Sequence, residues 1–371
     1  MKKVLIVSHY FYPVNTPRAF RATELANEFA RQGHDVTIIT HYDSNVHSNL
    51  EKEYGYKFKH LGDTKLKPIS LTGSKWIFIL KSIWRRFLLL LFEYPSIELM
   101  WLTNKVLRNE SRYDLLISIA VPYSIHWGVA KSRTKKNKIA NCWVADCGDP
   151  YMGCKTDSFN KLFYFSFVEK WFCRKADFLA VPNQDHIEQY YPEFRSKIKI
   201  IPQGFKFIDL PDNAGVKNDV PVFAFAGVFL KHARNPEAFL DYLVKSDKEF
   251  RFVVFTNTDE LLRSYVPLLK HKLDIRGFIP RHELLVELSK VDFLVNIEFH
   301  ASVNSNSPSK LIDYVIVNKP VLSLNMLNPD TEKIDKFLSG DYSDKLIIEE
   351  PERFRIENVV AKFVDLTKEI Q

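Results

Sequence analysis

Only four cysteines occur in the 371 residues, Cys142, Cys147, Cys154 and Cys173, and no two form a Cys-x-x-Cys pair. That spacing excludes a zinc finger and a small disulfide scaffold, and reads as reduced thiols in a cytosolic protein. Long apolar runs are missing as well. The longest in the aromatic-rich segment 74–102 is Phe87 to Phe92, far short of the roughly 20 residues of a bilayer span. The opening "MKKVLIVSHYFYP" has only four apolar residues after its lysines. That is too short for a signal-peptide core and reads as a first strand. No RGG tract, zinc finger or RNP motif is present, so nucleic acid is not an expected partner. No loop carries an Asp-x-Asp placed to hold a metal diphosphate, so neither a metal nor a resident cofactor is expected. There is no repeat of fixed period and no low-complexity tract.

What remains is a long, apolar-rich, basic chain. Its length exceeds one ordinary core and fits two domains. Hydrophobic residues make up 46%, and 52 Lys and Arg against 45 Asp and Glu leave a formal charge of +7. A basic balance suits an anionic partner such as a nucleotide, a phosphorylated lipid or a membrane surface. Short apolar runs alternate with helical patterns. Strands are expected at 4–8, 35–40, 114–120, 140–146, 177–182 and 197–202, with helices at 17–33, about 123–133 and 161–176. The Gly-, Pro-, Asn- and Asp-rich stretch 204–221 reads as a linker. A second series follows, with strands at 222–227, 250–256, 273–279, 292–298 and 320–324. Its helices are expected at 236–246, near 259–272, at 280–290 and at 308–317. This pattern implies α/β architecture: two Rossmann-like, doubly wound domains in tandem, each on a parallel sheet. The domains are set at 1–205 and 206–353. A final amphipathic helix at about 354–371 is expected to pack back on the first. Ligands in such sheets bind at the carboxyl ends of strands, and two such domains face a central cleft.

Segment 74–102, "SKWIFILKSIWRRFLLLLFEYPSIELMWL", admits two readings. Trp76, Trp84, Phe87 and Trp101 lie among Lys75, Lys81, Arg85 and Arg86. Such a mixture suits an anionic membrane face. The alternative is a buried core helix followed by a loop.

The stretch "NSNSPSKLIDYVIVNKPVL" (304–322) marks a helix start. Ser307 is a good N-cap and Pro308 suits the first helical position, while Asn318 and Pro320 stop the helix. A helix N-terminus presents unpaired N–H groups and partial positive charge to a phosphate. Lys310 adds a full charge, and Asp313 lies three residues on, near the same face. Taken alone, Lys310 and Asp313 also fit a plain surface ion pair.

These motifs, in order, resemble a known family. "HYFYPVNTPRAFRATELANEFARQGHDVTIIT", "VPYSIHWGVA", "VADCGDPYMG", "FAFAGVFLKHARNPEAFLDYL", "IRGFIPRHELLVELSKVDFLVNI" and "NSPSKLIDYVIVNKPVL" are similar to the successive motifs of GT-B retaining glycosyltransferases of the family 4 type. That group includes bacterial polysaccharide and lipopolysaccharide sugar transferases. The chain also departs from the family. Its donor signature has two glutamates with seven residues between them; here Ser305 and Asp313 hold those places. Many members carry Arg after the glycine matching Gly227, where this chain has Val228. Arg234 falls where the family has a phosphate-binding Lys, and Lys231 supplies a further charge nearby.

The resemblance implies transfer of a sugar from a nucleotide-diphosphate sugar to a glycan or lipid-linked acceptor, with retention and without a metal, on the cytoplasmic side of cell-surface polysaccharide synthesis. Arg234, Lys310 and the N–H groups of Ser309 and Lys310 would stabilise the leaving phosphate. Asp313 would accept from ribose hydroxyls, and Asn304, Ser305, Asn306 and Ser307 would line the donor sugar. The backbone near Phe278 and Ile279 would meet the base. On the acceptor side stand Asn15, Thr16, Arg18 and His126, with Arg21 either there or on the helix surface. Asp149, in "CGDP", would orient or deprotonate the acceptor hydroxyl, or else form an Asp-Pro turn. Two other functions share such a chain. One is a sugar-nucleotide epimerase, for which Glu298 and His300 stand near the donor side. The other is a non-catalytic nucleotide-sugar-binding scaffold.

Overall fold

The computed structural model describes residues 1–154, 161–208, 210, 218–231, 235–298 and 308–370, without the side chains of Pro308 and Ser309. The chain divides into two compact units. The first comprises Met1–Lys206 with Arg353–Gln371, and the second Phe207–Glu352.

The first unit is built on a seven-stranded sheet. Its strands are β1 (Lys3–Ser8), β2 (Asp35–Thr40), β3 (Lys57–His60), β4 (Tyr113–Ile119), β5 (Ala140–Asp146), β6 (Phe178–Val181) and β7 (Ile198–Ile200). They run parallel in the order β3-β2-β1-β4-β5-β6-β7. Both faces are covered, which is why β1 reads as an unbroken apolar run rather than an alternating one. Leu5 and Val7 point to one face, with Trp127, Trp143 and Phe172. Val4 and Ile6 point to the other, with Leu25, Phe29, Val359 and Phe363. The last two belong to helix Ile356–Leu366, so the end of the chain completes the core of the first unit.

The second unit has β8 (Val222–Ala226), β9 (Arg251–Phe255), β10 (Leu273–Arg276), β11 (Phe293–Ile297) and β12 (Val321–Leu324), parallel in the order β10-β9-β8-β11-β12. Phe223 stacks between Phe252 and Phe293, at ring distances of 4.7 and 4.8 Å. This aromatic column spans three neighbouring strands and fixes their register.

Several elements differ from the sequence reading. Strand β3 and helices Ser44–Tyr54, Glu98–Leu107 and Thr331–Leu338 were not expected. β3 reads Lys-Phe-Lys-His on a sheet edge, too short and polar to signal a strand. The helix expected near 259–272 is three short turns, Arg263–Tyr265, Val266–Leu269 and Lys270–Lys272, broken where Lys270 takes a positive φ of 51°. Segment 74–102 is not a core helix with a loop. Helix Lys75–Phe92 has no buried residue, and Trp101 lies on the following helix Glu98–Leu107.

One buried carboxyl in the first unit titrates in the neutral range. Glu169, on helix Phe165–Lys175, is 2% exposed. Burial pushes it up to about 7, opposed by hydrogen bonds from the Met152 N–H, the Tyr191 hydroxyl and the Tyr151 N–H. The unfolded chain releases this proton near 4.5, so at intermediate pH the folded state holds a proton that the unfolded state has lost. The stabilisation is full below about pH 4.5 and is lost as pH rises through about 7. The unfolding free energy should therefore fall by about 2–3 kcal/mol between about pH 5 and pH 8 from this group alone. Urea midpoints measured across that range should lose this component in Glu169→Gln. An unchanged slope in the variant would assign the titration to another group.

Candidate functional site

In the second unit the strand order reverses direction between β8 and β11, and open α/β sheets bind ligands at the carboxyl ends beside such a point. Gly227 follows directly on β8, and its N–H donates to the Phe255 carbonyl at 2.9 Å. Helix Pro308–Val317 brings Lys310 to the same place. The Lys310 Nζ stands 4.5 Å from the centre of the Phe225 ring, a cation–π contact. A Cβ built on Gly227 would lie 1.9 Å from that Nζ, and the residue's φ of +153° already disfavours a side chain. Position 227 is therefore a glycine because the lysine passes through the space a side chain would fill. Lys231 is exposed on the loop that follows. That loop is pinned where the Phe229 N–H donates to Thr258 Oγ1 at 2.9 Å.

Asp313 sits one turn beyond Lys310 and faces Arg281 instead of open solvent. The Arg281 Nε and Nη2 donate to Asp313 Oδ1 at 2.9 and 2.6 Å. Burial raises the Asp313 carboxyl, with Arg281 pulling the other way. The surface pair with Lys310 that spacing allowed is thus replaced by a pair with Arg281. Sequence reasoning missed Arg281, although its place directly after Pro280 at a helix start could have marked it. Phe278 presents an exposed ring after β10, while Ile279 packs into the core. Glu298 is exposed beyond β11, its N–H donating to the Leu324 carbonyl at 2.9 Å. Arg234, His300, Asn304, Ser305, Asn306 and Ser307 lie outside the described residues, as does the Ser309 side chain.

In the first unit the reversal falls between β1 and β4. Asn15 is exposed after β1, and Thr16 caps helix Pro17–Arg31 by accepting from the Ala19 N–H at 3.3 Å. Asp146, ending β5, is 3% exposed and receives two arginines. Arg18 Nη1 donates to Oδ1 at 3.2 Å and Arg21 Nε to Oδ2 at 2.7 Å. Arg21 also donates to the Pro202 and Ile201 carbonyls. It is 2% exposed, so it belongs to the interior and not to the helix surface. Arg18 remains partly open, and its guanidinium crosses Gly148, where a Cβ would lie 2.0 Å from Nη2.

His126 is a correction. It was expected to meet the acceptor, but it is wholly buried, with Nδ1 2.8 Å from Ser118 Oγ and Nε2 3.6 Å from Cys147 Sγ. Burial lowers its pKa to about 3, so it is a neutral core residue. Asp149 is exposed, and Asp149 Oδ1 lies 3.9 Å from the His186 ring. The neighbouring His186 ring holds the carboxyl below its ordinary range, and Arg18 adds to the effect. Asp149 borders a cavity of about 170 Å³ lined also by Val121, Tyr123, Tyr151, Glu93 and Lys161. Tyr151 donates to Glu93 Oε1 at 2.8 Å, and Lys161 pairs with the same oxygen. Glu93 and Lys161 carried no sequence signal, because only the fold brings them together.

No protein-family model matches the chain, and no curated protein matches its sequence. Solved structures do match. A glycosyltransferase from Rickettsia africae ESF-5 is 14% identical, with 100% of this chain and 98% of that one covered at a TM-score of 0.61. The apo lipopolysaccharide outer core galactosyltransferase WaaB is 13% identical, with 99% of each chain covered at 0.57. A TarM variant from S. aureus, in complex with Fondaparinux, alpha-GlcNAc-glycerol and UDP, is 11% identical, with 99% and 100% covered at 0.60. Likeness at this identity is likeness of fold. The chain has the GT-B fold, two Rossmann-like units each on its own parallel sheet.

Breaking the Arg21–Asp146 pair strands a buried carboxylate and two carbonyls. Arg21→Met should cost about 3–5 kcal/mol of unfolding free energy, read from urea denaturation, and Arg21→Lys should recover only part because it lacks the fork. A loss in Arg21→Met within error of zero would show that the pair does not hold this end of the sheet.

Proposed function

We propose that the protein is a glycosyltransferase that moves a sugar from a nucleotide-diphosphate sugar to a hydroxyl of a glycan or lipid-linked acceptor in cell-surface polysaccharide synthesis. The observation that carries the reading is Lys310 poised over Gly227 at the carboxyl end of β8, in a fold shared with solved glycosyltransferases. The family 4 assignment, retention of configuration and independence of metal belong to this proposal and rest on the sequence motifs.

The C1–O bond to the diphosphate breaks with its electron pair leaving on the phosphate oxygen. Lys310 neutralises that charge, joined by Arg234 and Lys231. Fixed cations do this work without reorganisation at the moment of reaction. The acceptor oxygen bonds to C1 from the face the phosphate leaves, and its proton passes to the departing phosphate. Arg281 holds the Asp313 carboxylate in place for the ribose hydroxyls of the donor, with Phe278 and Ile279 beside the base. In the first unit Arg18, Asn15 and Thr16 contact the acceptor, and Asp149 orients its hydroxyl.

Incubation with a panel of nucleotide sugars tests the reading, and the UDP bound by TarM puts uridine diphosphate sugars first. Slow release of free nucleotide is expected. A changed sugar on an intact nucleotide would make the protein an epimerase, and binding without release would make it a scaffold.

Lys310→Ala should lower kcat on the order of 10²–10³-fold with little change in fold. Gly227→Ala should act in the same direction by displacing the ammonium. Asp313→Ala should chiefly raise the donor KM, because ribose contacts are equal in ground and transition states. Near-normal kinetics in all three folded variants would remove this pocket from the donor site. Release should also persist in EDTA, and activity abolished by EDTA and restored by magnesium would overturn the metal-free proposal.

A further inference from the structure

Helix Lys75–Phe92 wears its apolar side outward. None of its eighteen residues is buried. Trp76, Leu80, Ile83, Trp84 and Phe87 stand at i, i+4, i+7, i+8 and i+11, the spacing of a single helical face. Their exposures are 77, 66, 61, 53 and 47%. In a surface helix of a soluble domain that stripe would be the one turned to the core. Here half-buried positions such as Ser82 and Leu89 lie on the opposite side. Within the stripe Trp84 and Phe87 stack at 5.4 Å. The stripe extends beyond the helix. The Tyr164 hydroxyl donates to the Leu91 carbonyl, and beside Tyr164 the Phe163 ring is exposed, with Phe167 exposed four residues on. Soluble monomers rarely leave so large a contiguous apolar patch open.

Charge identifies the occupant. Lys75, Lys81 and Arg86 flank the stripe, Arg85 follows on the polar side, and the eighteen residues contain no carboxylate. A second protein surface would need acidic partners matched in position. An anionic bilayer supplies negative charge everywhere and an apolar layer directly beneath it. No described helix is long and apolar enough to cross a membrane, so the geometry is that of a helix lying in the headgroup layer.

We propose that helix Lys75–Phe92 seats the protein on an anionic membrane surface, with the Trp76–Phe87 stripe in the interface and the flanking cations at the headgroups. The helix ends at Glu93, which lines the Asp149 cavity. Seating the helix therefore brings that cavity to the membrane. On the transferase reading, this favours an acceptor whose sugar is carried on a lipid.

The seat is tested without donor or acceptor, so its failure is separate from failure of the transferase reading. The full chain is sedimented with phosphatidylcholine vesicles, with and without a quarter of phosphatidylglycerol. Recovery in the pellet should require the anionic lipid and decline with salt. The triple variant Trp76→Ser, Trp84→Ser, Phe87→Ser should lower the partition coefficient at least about tenfold. Lys75→Gln with Arg85→Gln should lower it roughly 25-fold, since each charge near such a surface is worth about a factor of five. All five side chains are exposed, so circular dichroism should be unchanged. Equal recovery in the supernatant with both vesicle types would overturn the proposal. So would unaltered binding by the triple variant, or self-association through the stripe in place of vesicle binding, which would make a second copy the occupant.

Discussion

A carboxylate at 3% exposure is unstable in a protein interior unless something cancels it, and Asp146 is cancelled twice. Desolvating an ion costs several kcal/mol, and a bare pair seldom returns much more than that. The gain here is positional. Arg21 joins three segments: helix Pro17–Arg31 that carries it, strand β5 through Asp146, and the chain beyond β7 through the Ile201 and Pro202 carbonyls. All three meet at the carboxyl edge of the sheet, where an α/β unit binds its ligand. Arg18 is held by the other carboxylate oxygen and kept partly open. The buried arginine thus fixes the frame, and the half-exposed one is left facing outward. Burial itself lowers the Arg21 pKa against the pull of Asp146.

The alternation of strand and helix was legible because both sheets are parallel and covered on both faces. Such strands are unbroken apolar runs, and runs like "VLIVS" and "FLVNI" allow few other assignments. The edge strand β3 was not legible, since an edge needs neither length nor a second apolar face. Helix Lys75–Phe92 was legible as a helix but not in its orientation. An apolar stripe signals a face that wants to leave water, and the sequence does not say whether protein or lipid receives it. In the candidate site, the place of Lys310 at a helix start was legible. The partner of Asp313 was not, because Arg281 comes from 32 positions away.

Histidines show the same limit from the other side. His126 and His186 both lie near the carboxyl ends of the first sheet, and by residue type either could serve an acceptor. Burial separates them. His126 is enclosed by Ser118 and Cys147 and stays neutral far below physiological pH. His186 reaches Asp149 at the rim. A buried imidazole that cannot accept a proton is packing, whatever its distance from a pocket.

On the transferase reading, the state of Asp149 bears on where the acceptor proton goes. A general base works best when its pKa is near the operating pH. His186 and then Arg18 hold the Asp149 carboxyl below its ordinary 3.8, which makes it a poor proton acceptor near neutrality and a good hydrogen-bond acceptor. On the transferase reading the competing base is the departing phosphate. A phosphate monoester has a second pKa of about 6, close enough to neutrality to take the proton that this carboxylate would not. The environment of Asp149 therefore suits a group that aims the hydroxyl and leaves the proton to the leaving group. That division requires the sugar's incoming and outgoing oxygens to share one face, as retention by a front-face route demands.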